Sequence, residues 1–184
     1  CEDIWQQGGP VAQLANSNTD VVLVLNGSPF EIDKDDRRRA LVQGLAVKNN
    51  SAVAYVNLVG GQDDLVFDGD SLIVDSSGTL IGRAKQFESD IAYFDIKGKN
   101  EIQLVDKPRI TKHDDREQIW NALVLGLRDY VNKNGFKSVV LGLSGGIDSA
   151  VCASIAADAI GADRVFGVSM PSRYSSEHSR SDAD

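Results

Sequence analysis

The sequence predicts an α/β fold laid down in two successive parts, and three observations carry that expectation. Near the end, the apolar run Val139-Val140-Leu141 passes through Leu143 into Ser144-Gly145-Gly146, then into a helical stretch over residues 150–157 and a second strand over residues 164–170. Earlier, two β-prone runs, residues 20–26 and 51–59, flank a helix-patterned stretch over residues 33–50. A polar segment with Gly98, Lys99, Asn100 and Pro108 separates the two parts. Strand, helix, strand in this order is the pattern of parallel β-α-β units.

Taken in order, Cys1-Glu2-Asp3-Ile4-Trp5 comes first and runs into a loop marked by Gly8-Gly9-Pro10. Val21-Val22-Leu23-Val24-Leu25 is strongly β-prone and ends in the turn cluster Asn26-Gly27-Ser28-Pro29-Phe30. The C-terminal end of a strand is where α/β layers place ligand sites. The helix over 33–50 has Asp35 and Asp36 in its first turn, Leu41, Leu45 and Lys48 at helical spacing, and Asn49-Asn50 at its end. Arg37-Arg38-Arg39 reads as a solvated face paired to Asp33, Asp35 and Asp36, because the rest of the chain is acidic.

Residues 51–59 form a second buried strand, broken by Gly60-Gly61. A strand over 72–75 turns through Ser76-Ser77-Gly78 into 79–84, a hairpin, and a further strand is expected over 90–96. Asp63, Asp64, Asp68 and Asp70 lack the spacing and closing Glu of a calcium loop and read as loop and turn carboxylates. Residues 97–109 read as the boundary, which gives a first domain over 1–108 and a second over 109–184. An amphipathic helix over 114–134 opens with the Asp114/Glu117 pair, carries Ile119, Leu123, Leu127, Tyr130 and Val131 as its stripe, and closes at Asn134-Gly135. His113 is a surface residue at the entry of that helix, and His178 belongs to the tail. The crossover between the last two strands should be right-handed, and the loop over 171–176 should leave beside the Ser-Gly-Gly turn.

That turn carries the chemistry. The first N–H groups of a helix lack internal partners, and the helix dipole favours negative charge there. Gly145 and Gly146 let the backbone approach a ligand, and Ser144 and Ser149 add hydroxyls. Asp148 would repel a phosphate unless Mg²⁺ bridged the two. The Gly-Lys-Ser/Thr of a Walker A loop is absent, which disfavours a kinase or GTPase. Gly-Gly alone would suit a structural turn; Ser-Gly-Gly-Ile-Asp-Ser after an apolar strand is far more specific.

The net charge of -8 argues against a general nucleic-acid binder. No apolar run approaches a membrane span, and residues 1–20 do not pattern as a signal peptide. Two cysteines, Cys1 and Cys152, make no disulfide framework, so a cytoplasmic, reducing compartment is expected. Cys152 is expected to be a small buried hydrophobe. There is no initiator Met, and the last strand has no further sheet to pair with, so the chain is expected to be an internal piece of a longer one.

Ser144-Gly145-Gly146-Ile147-Asp148-Ser149 resembles the SGGxDS pyrophosphate-loop signature of ATP pyrophosphatases. Cys1-Glu2-Asp3-Ile4-Trp5 looks like the nucleophile segment of nitrilase-type amidases, with Asn26-Gly27-Ser28-Pro29 where such enzymes have a strand-end turn in the pocket. The order of the two signatures resembles the glutamine-dependent NAD⁺ synthetase family over essentially the whole chain. The fold this implies is α/β: the C-terminal part of a nitrilase-like αββα domain, then the start of a Rossmann-like (adenine nucleotide alpha hydrolase-like) parallel-sheet domain.

By that resemblance Cys1 is the amidase nucleophile, while the Glu and Lys of the family's triad lie upstream of it; Glu2 is not the general base. Ser28 and Lys34 match positions that hold glutamine. Gly142, Leu143, Ser144, Gly145, Gly146, Ile147, Asp148 and Ser149 match the ATP loop, and Asp148 matches the Mg²⁺ ligand. Arg173 and Tyr174 lie in the loop over 171–176, beside the ATP turn, and the resemblance matches neither to a position that contacts ATP or the dinucleotide. The implied small-molecule partners are glutamine, ATP and deamido-NAD⁺, with no nucleic acid and no membrane, in a homo-oligomer. The implied reaction amidates deamido-NAD⁺ through an adenylate, with ammonia from glutamine, and releases AMP, pyrophosphate and glutamate. Two alternatives stand beside it: an asparagine-synthetase-like enzyme with Cys1 as its processed N-terminus, or a piece that is inert in isolation.

Overall fold

The structure is a computed structural model that describes residues 2–6, 9–14, 18–105 and 112–170. The chain divides into two compact units, Cys1–Gly60 with Leu65–Ile119, and Gly61–Asp64 with Trp120–Asp184.

In the first unit a short turn, Glu2–Ile4, and helix α1 (Pro10–Gln13) precede β1 (Val21–Asn26), α2 (Lys34–Asn49) and β2 (Ala52–Asn57). β1 and β2 pair in parallel from Val21↔Ala52 to Asn26↔Asn57. Alternation along β1 buries Val22 and Val24 toward α2, where Val42, Ala46, Val53, Tyr55, Leu72 and Val74 complete the core. Burying each such Val or Leu contributes about 1.5–3 kcal/mol. Leu23 and Leu25 point the other way and are exposed. Helix α2 ends as expected: Asn50 takes the left-handed conformation at φ 48° and its N–H returns to the Val47 carbonyl.

A short ribbon of β3 (Val59–Gln62) and β4 (Leu65–Asp68) leads to β5 (Leu72–Val74) and β6 (Leu80–Arg83), which extend the sheet in the order β1-β2-β5-β6. Thus Gly60-Gly61 lies within a strand rather than breaking one. The β5–β6 turn is the expected hairpin. The Asp75 carboxylate accepts from the N–H groups of Ser77 and Thr79, both at 2.9 Å. The strand expected over 90–96 is displaced: β7 (Phe94–Gly98) and β8 (Glu101–Leu104) form an antiparallel ribbon inside what reads as a polar boundary. Its outer face is polar, which hides it from a search for apolar runs. Gly82 on β6 leaves room for the Phe94 ring; a Cβ there would lie 2.9 Å from Phe94 Cε1.

Two expectations about charge are corrected. Arg37 and Arg39 do pair at the surface, with Glu31 and Asp36. Arg38 does not: it is fully buried and meets Asp68 at 2.5 Å. Asp63 and Asp64 are exposed loop carboxylates, but Asp68 and Asp70 are buried, Asp70 against Arg83. Arg83 also reaches Asp35 at 3.3 Å, and Lys112 reaches Asp35 at 3.0 Å. Removing one partner from such a pair strands the other charge, at a cost of about 3–5 kcal/mol. Burial raises Asp70 above the ordinary carboxylate range despite Arg83. Burial also acts to raise Asp35, but the hydrogen bonds from Lys112 and the Asp36 N–H, with the Lys112 and Arg83 charges, hold it below.

The second unit holds most of α3 (Asp115–Lys133), then β9 (Val139–Leu143), α4 (Ile147–Ile160), a short turn (Ala162–Arg164) and β10 (Val165–Ser169). Before α3, Asp114 Oδ1 accepts from the Glu117 N–H at 2.9 Å, and Glu117 Oε2 accepts from the Asp114 N–H at 3.2 Å. This reciprocal pair is the expected capping box. His113 is a surface residue there, 3.2 Å from the same Glu117 oxygen. Of the expected stripe, Leu127 and Val131 join Ala159 and Ile160 in the core, whereas Ile119, Leu123 and Tyr130 are exposed. β9 and β10 pair in parallel, Val165↔Val139 to Ser169↔Leu143. Val139 and Val165 face that core; Val140, Phe166 and Val168 are exposed. Cys152 is exposed on α4, not buried as expected, because α4 turns Ala156, Ala159 and Ile160 inward instead. Among the described residues no helix is long and apolar enough to cross a membrane.

Candidate functional sites

Two sites are built separately, one in each unit. In the second unit, β9 stops at Leu143 and the chain reverses through Ser144-Gly145-Gly146. Gly145 lies at φ +74°, a left-handed conformation that a side chain would strain. Gly146 is extended (φ −97°, ψ 155°) and caps α4, which starts at Ile147. The two serines close the turn. The Ser149 hydroxyl donates to the Gly146 carbonyl at 2.9 Å and accepts from the Ser144 N–H at 3.3 Å. The Ser144 hydroxyl accepts from the Gly146 N–H at 3.3 Å and lies 3.2 Å from the Ser149 hydroxyl.

The turn is thus held by its own side chains before any ligand arrives. Gly146, Ile147 and Asp148 are exposed, and the first-turn amides of α4 have no carbonyl within their own helix to bond. An anion of phosphate size can reach them, with the helix dipole in its favour. Asp148 sits in that first turn and supplies one carboxylate. Among the described residues no group of three or more His, Cys, Asp or Glu could hold a metal by itself. One carboxylate suits a magnesium ion that takes its remaining ligands from phosphate and water.

In the first unit, the turn after β1 is fastened at several points. The Leu58 N–H donates to the Asn26 carbonyl at 3.0 Å, and the Phe30 N–H to the Val66 carbonyl at 2.7 Å. Phe30 packs edge-on against Phe87, with ring centroids 5.4 Å apart. Between these, Ser28 is buried, and its N–H donates to Asn57 Oδ1 at 2.8 Å. Lys34 opens α2 and donates to Glu31 Oε1 at 2.5 Å; that bond and the Lys34 charge hold the Glu31 carboxyl below its ordinary range. Among the described residues, Ser28 and Lys34 do not bond each other. Cys1, Arg173, Tyr174 and His178 lie outside the described residues. No local pattern marks Asn57 or the Arg38–Asp68 pair. The available signal was Asn57 itself, a polar residue closing an otherwise apolar strand.

The carbon-nitrogen hydrolase family model matches residues 1–103, more than half of the chain. The chain belongs to the carbon-nitrogen hydrolase family. Behind this carbon-nitrogen hydrolase segment, the NAD synthase model matches residues 119–184, which include the Ser-Gly-Gly turn. The chain is similar to the glutamine-dependent NAD(+) synthetase of Acinetobacter baylyi, 45% identical across 100% of this chain and 34% of that protein. It is also similar to the glutamine-dependent NAD(+) synthetase of Aquifex aeolicus, 42% identical across 100% of this chain and 38% of that protein. The solved glutamine-dependent NAD+ synthetase of Acinetobacter baumannii, in complex with ADP, superposes with a TM-score of 0.89 at 45% identity; it is covered to 34%, and this chain to 100%. The synthetase of Cytophaga hutchinsonii shares the fold, with a TM-score of 0.67 over 90% of this chain and 35% of that one. The chain therefore spans about a third of the length of the curated relatives it matches. The expected order, nitrilase-like segment first and start of an NAD synthase domain second, holds.

Proposed function

We propose that the full-length protein is a glutamine-dependent NAD⁺ synthetase. The observation that carries this is the open turn over residues 144–149, a self-closed anion cradle at a helix start, in a chain that also contains a carbon-nitrogen hydrolase segment. Similarity to NAD(+) synthetases across the whole chain supports the same reading.

In this reading Gly142 to Ser149 hold the phosphates of ATP. The ADP complex of the Acinetobacter baumannii enzyme supports an adenine nucleotide as ligand. Main-chain N–H groups at the start of α4 and the Ser144 hydroxyl face the departing pyrophosphate, where charge grows as the bond breaks, while the Ser149 hydroxyl holds the turn through the Gly146 carbonyl. Asp148 would hold Mg²⁺, which supplies charge neutralisation at the phosphates. Cys1 is the amidase nucleophile; its thiol needs a base to act near pH 7. Ser28 and Lys34 hold the glutamine. The domain boundary falls at 108/109, among residues outside the described ones. Location in the cytoplasm follows from cysteine usage, and a homo-oligomer is part of the same proposal.

The reaction balances. A carboxylate oxygen of deamido-NAD⁺ attacks the α-phosphorus of ATP, and pyrophosphate leaves. Ammonia, released when Cys1 forms a thioester with glutamine, then displaces AMP; water frees glutamate from the thioester. Incubating the full-length protein with glutamine, ATP, magnesium and deamido-NAD⁺ should yield NAD⁺, glutamate, AMP and pyrophosphate in equal amounts. Formation of ADP and phosphate would refute the assignment. Amidation of aspartate in place of deamido-NAD⁺ would favour the asparagine-synthetase alternative.

A further inference from the structure

We propose that Asn57 is a positioning residue for glutamine binding, holding Ser28 by both of its main-chain groups. This rests on the assignment of Ser28 to the glutamine pocket.

The β1–β2 ladder ends at Asn26↔Asn57, where the chain turns away through Gly27. The peptide groups of Ser28 therefore lie beyond the ladder, yet Ser28 is only 1% exposed. Left unpaired, each buried group would cost about 1–3 kcal/mol. The Asn57 side chain takes the place of the missing strand: its Oδ1 accepts from the Ser28 N–H at 2.8 Å, and its Nδ2 donates to the Ser28 carbonyl at 3.1 Å. A side-chain amide can do this because it carries a donor and an acceptor in one plane, as a peptide does.

The amide is itself held. Its Nδ2 also lies 3.4 Å from Asp68 Oδ1, and a carboxylate accepts only from the NH₂ end, which fixes which way the amide faces. Asp68 is in turn locked by Arg38 at 2.5 Å, and Arg38 donates to the Gly69 carbonyl at 3.4 Å. The Asn57 N–H donates to Ser71 Oγ at 2.9 Å. A rigid line thus runs from Arg38 in the second turn of α2, through Asp68 and Asn57, to the main chain of Ser28. Displacing Ser28 changes how glutamine is held, while the ATP chemistry, in the other unit, is untouched.

The test compares nitrogen sources in the full-length protein. N57A should raise the KM for glutamine about tenfold or more, with a smaller change in kcat. NAD⁺ formation from saturating ammonia should stay within about twofold of wild type. N57D keeps the shape and the acceptor for the Ser28 N–H but turns both donors into acceptors facing a carbonyl and a carboxylate. It should show the same split, and it carries the comparison if N57A does not fold. An unchanged glutamine KM in the folded variants overturns the proposal. So does an equal fall with both nitrogen sources, or failure of both variants to fold, since Asn57 would then be structural only. A wild-type protein that releases no glutamate from glutamine refutes the underlying reading instead, whatever the variants do.

Discussion

Replacing Cys1 with alanine in the full-length protein lowers NAD⁺ synthesis from glutamine at least about a thousandfold and leaves synthesis from free ammonia within about twofold. The thiolate forms the only covalent bond to the glutamyl carbon in the proposed sequence, and alanine offers nothing in its place. The ATP turn lies in the other unit and has no chemical need of the thiol. Glutamate release and NAD⁺ formation, measured separately with each nitrogen source, check this. Glutamate release that survives the substitution would remove Cys1 from the mechanism.

Asp148→Ala has the opposite signature: both nitrogen sources fail together, by about a hundredfold or more. The adenylation step precedes the choice of nitrogen source, so a defect there cannot be bypassed with ammonia. Asp148 is exposed in the first turn of α4, and exposed substitutions away from packed features stay within about ±0.5 kcal/mol. The variant should therefore melt with the wild type, which separates lost chemistry from lost fold. Raising magnesium should recover part of the rate, because a weakened site fills at higher metal. Wild-type rates with both nitrogen sources would refute a metal role for Asp148.

How far the fold was legible depends on the range of the interaction that decides each element. The Asp114–Glu117 box, Asn50 at the end of α2 and the hairpin turn over 76–78 act over a few residues, and each stands where local pattern places it. The turn at 144–149 is legible for the same reason: its serines bond its own backbone. Arg38 is different. Beside Arg37 and Arg39 it looks like one more solvated cation. Only the fold brings Asp68 to it, and burial then turns a surface charge into an internal ion pair. Asn57 escapes notice in the same way, because its partner Ser28 is close only once β1 and β2 are paired. The β7–β8 ribbon is hidden by composition: Asp95, Ile96 and Lys97 are exposed, so no apolar run marks it. Ile119, Leu123 and Tyr130 pattern as a buried stripe, yet helical spacing says only that they share a face, not that something covers it.

The most direct test of the central claim, that the turn at 144–149 serves cleavage of ATP between its α and β phosphates with transfer of AMP to a carboxylate, is isotopic. Deamido-NAD⁺ carrying ¹⁸O in its nicotinate carboxylate is turned over by the full-length protein with ATP and ammonia, and the AMP is examined by mass spectrometry. One ¹⁸O from the carboxylate should appear in the phosphate of AMP, with unlabelled pyrophosphate released alongside. AMP without label, or label found in inorganic phosphate together with ADP, would contradict that claim.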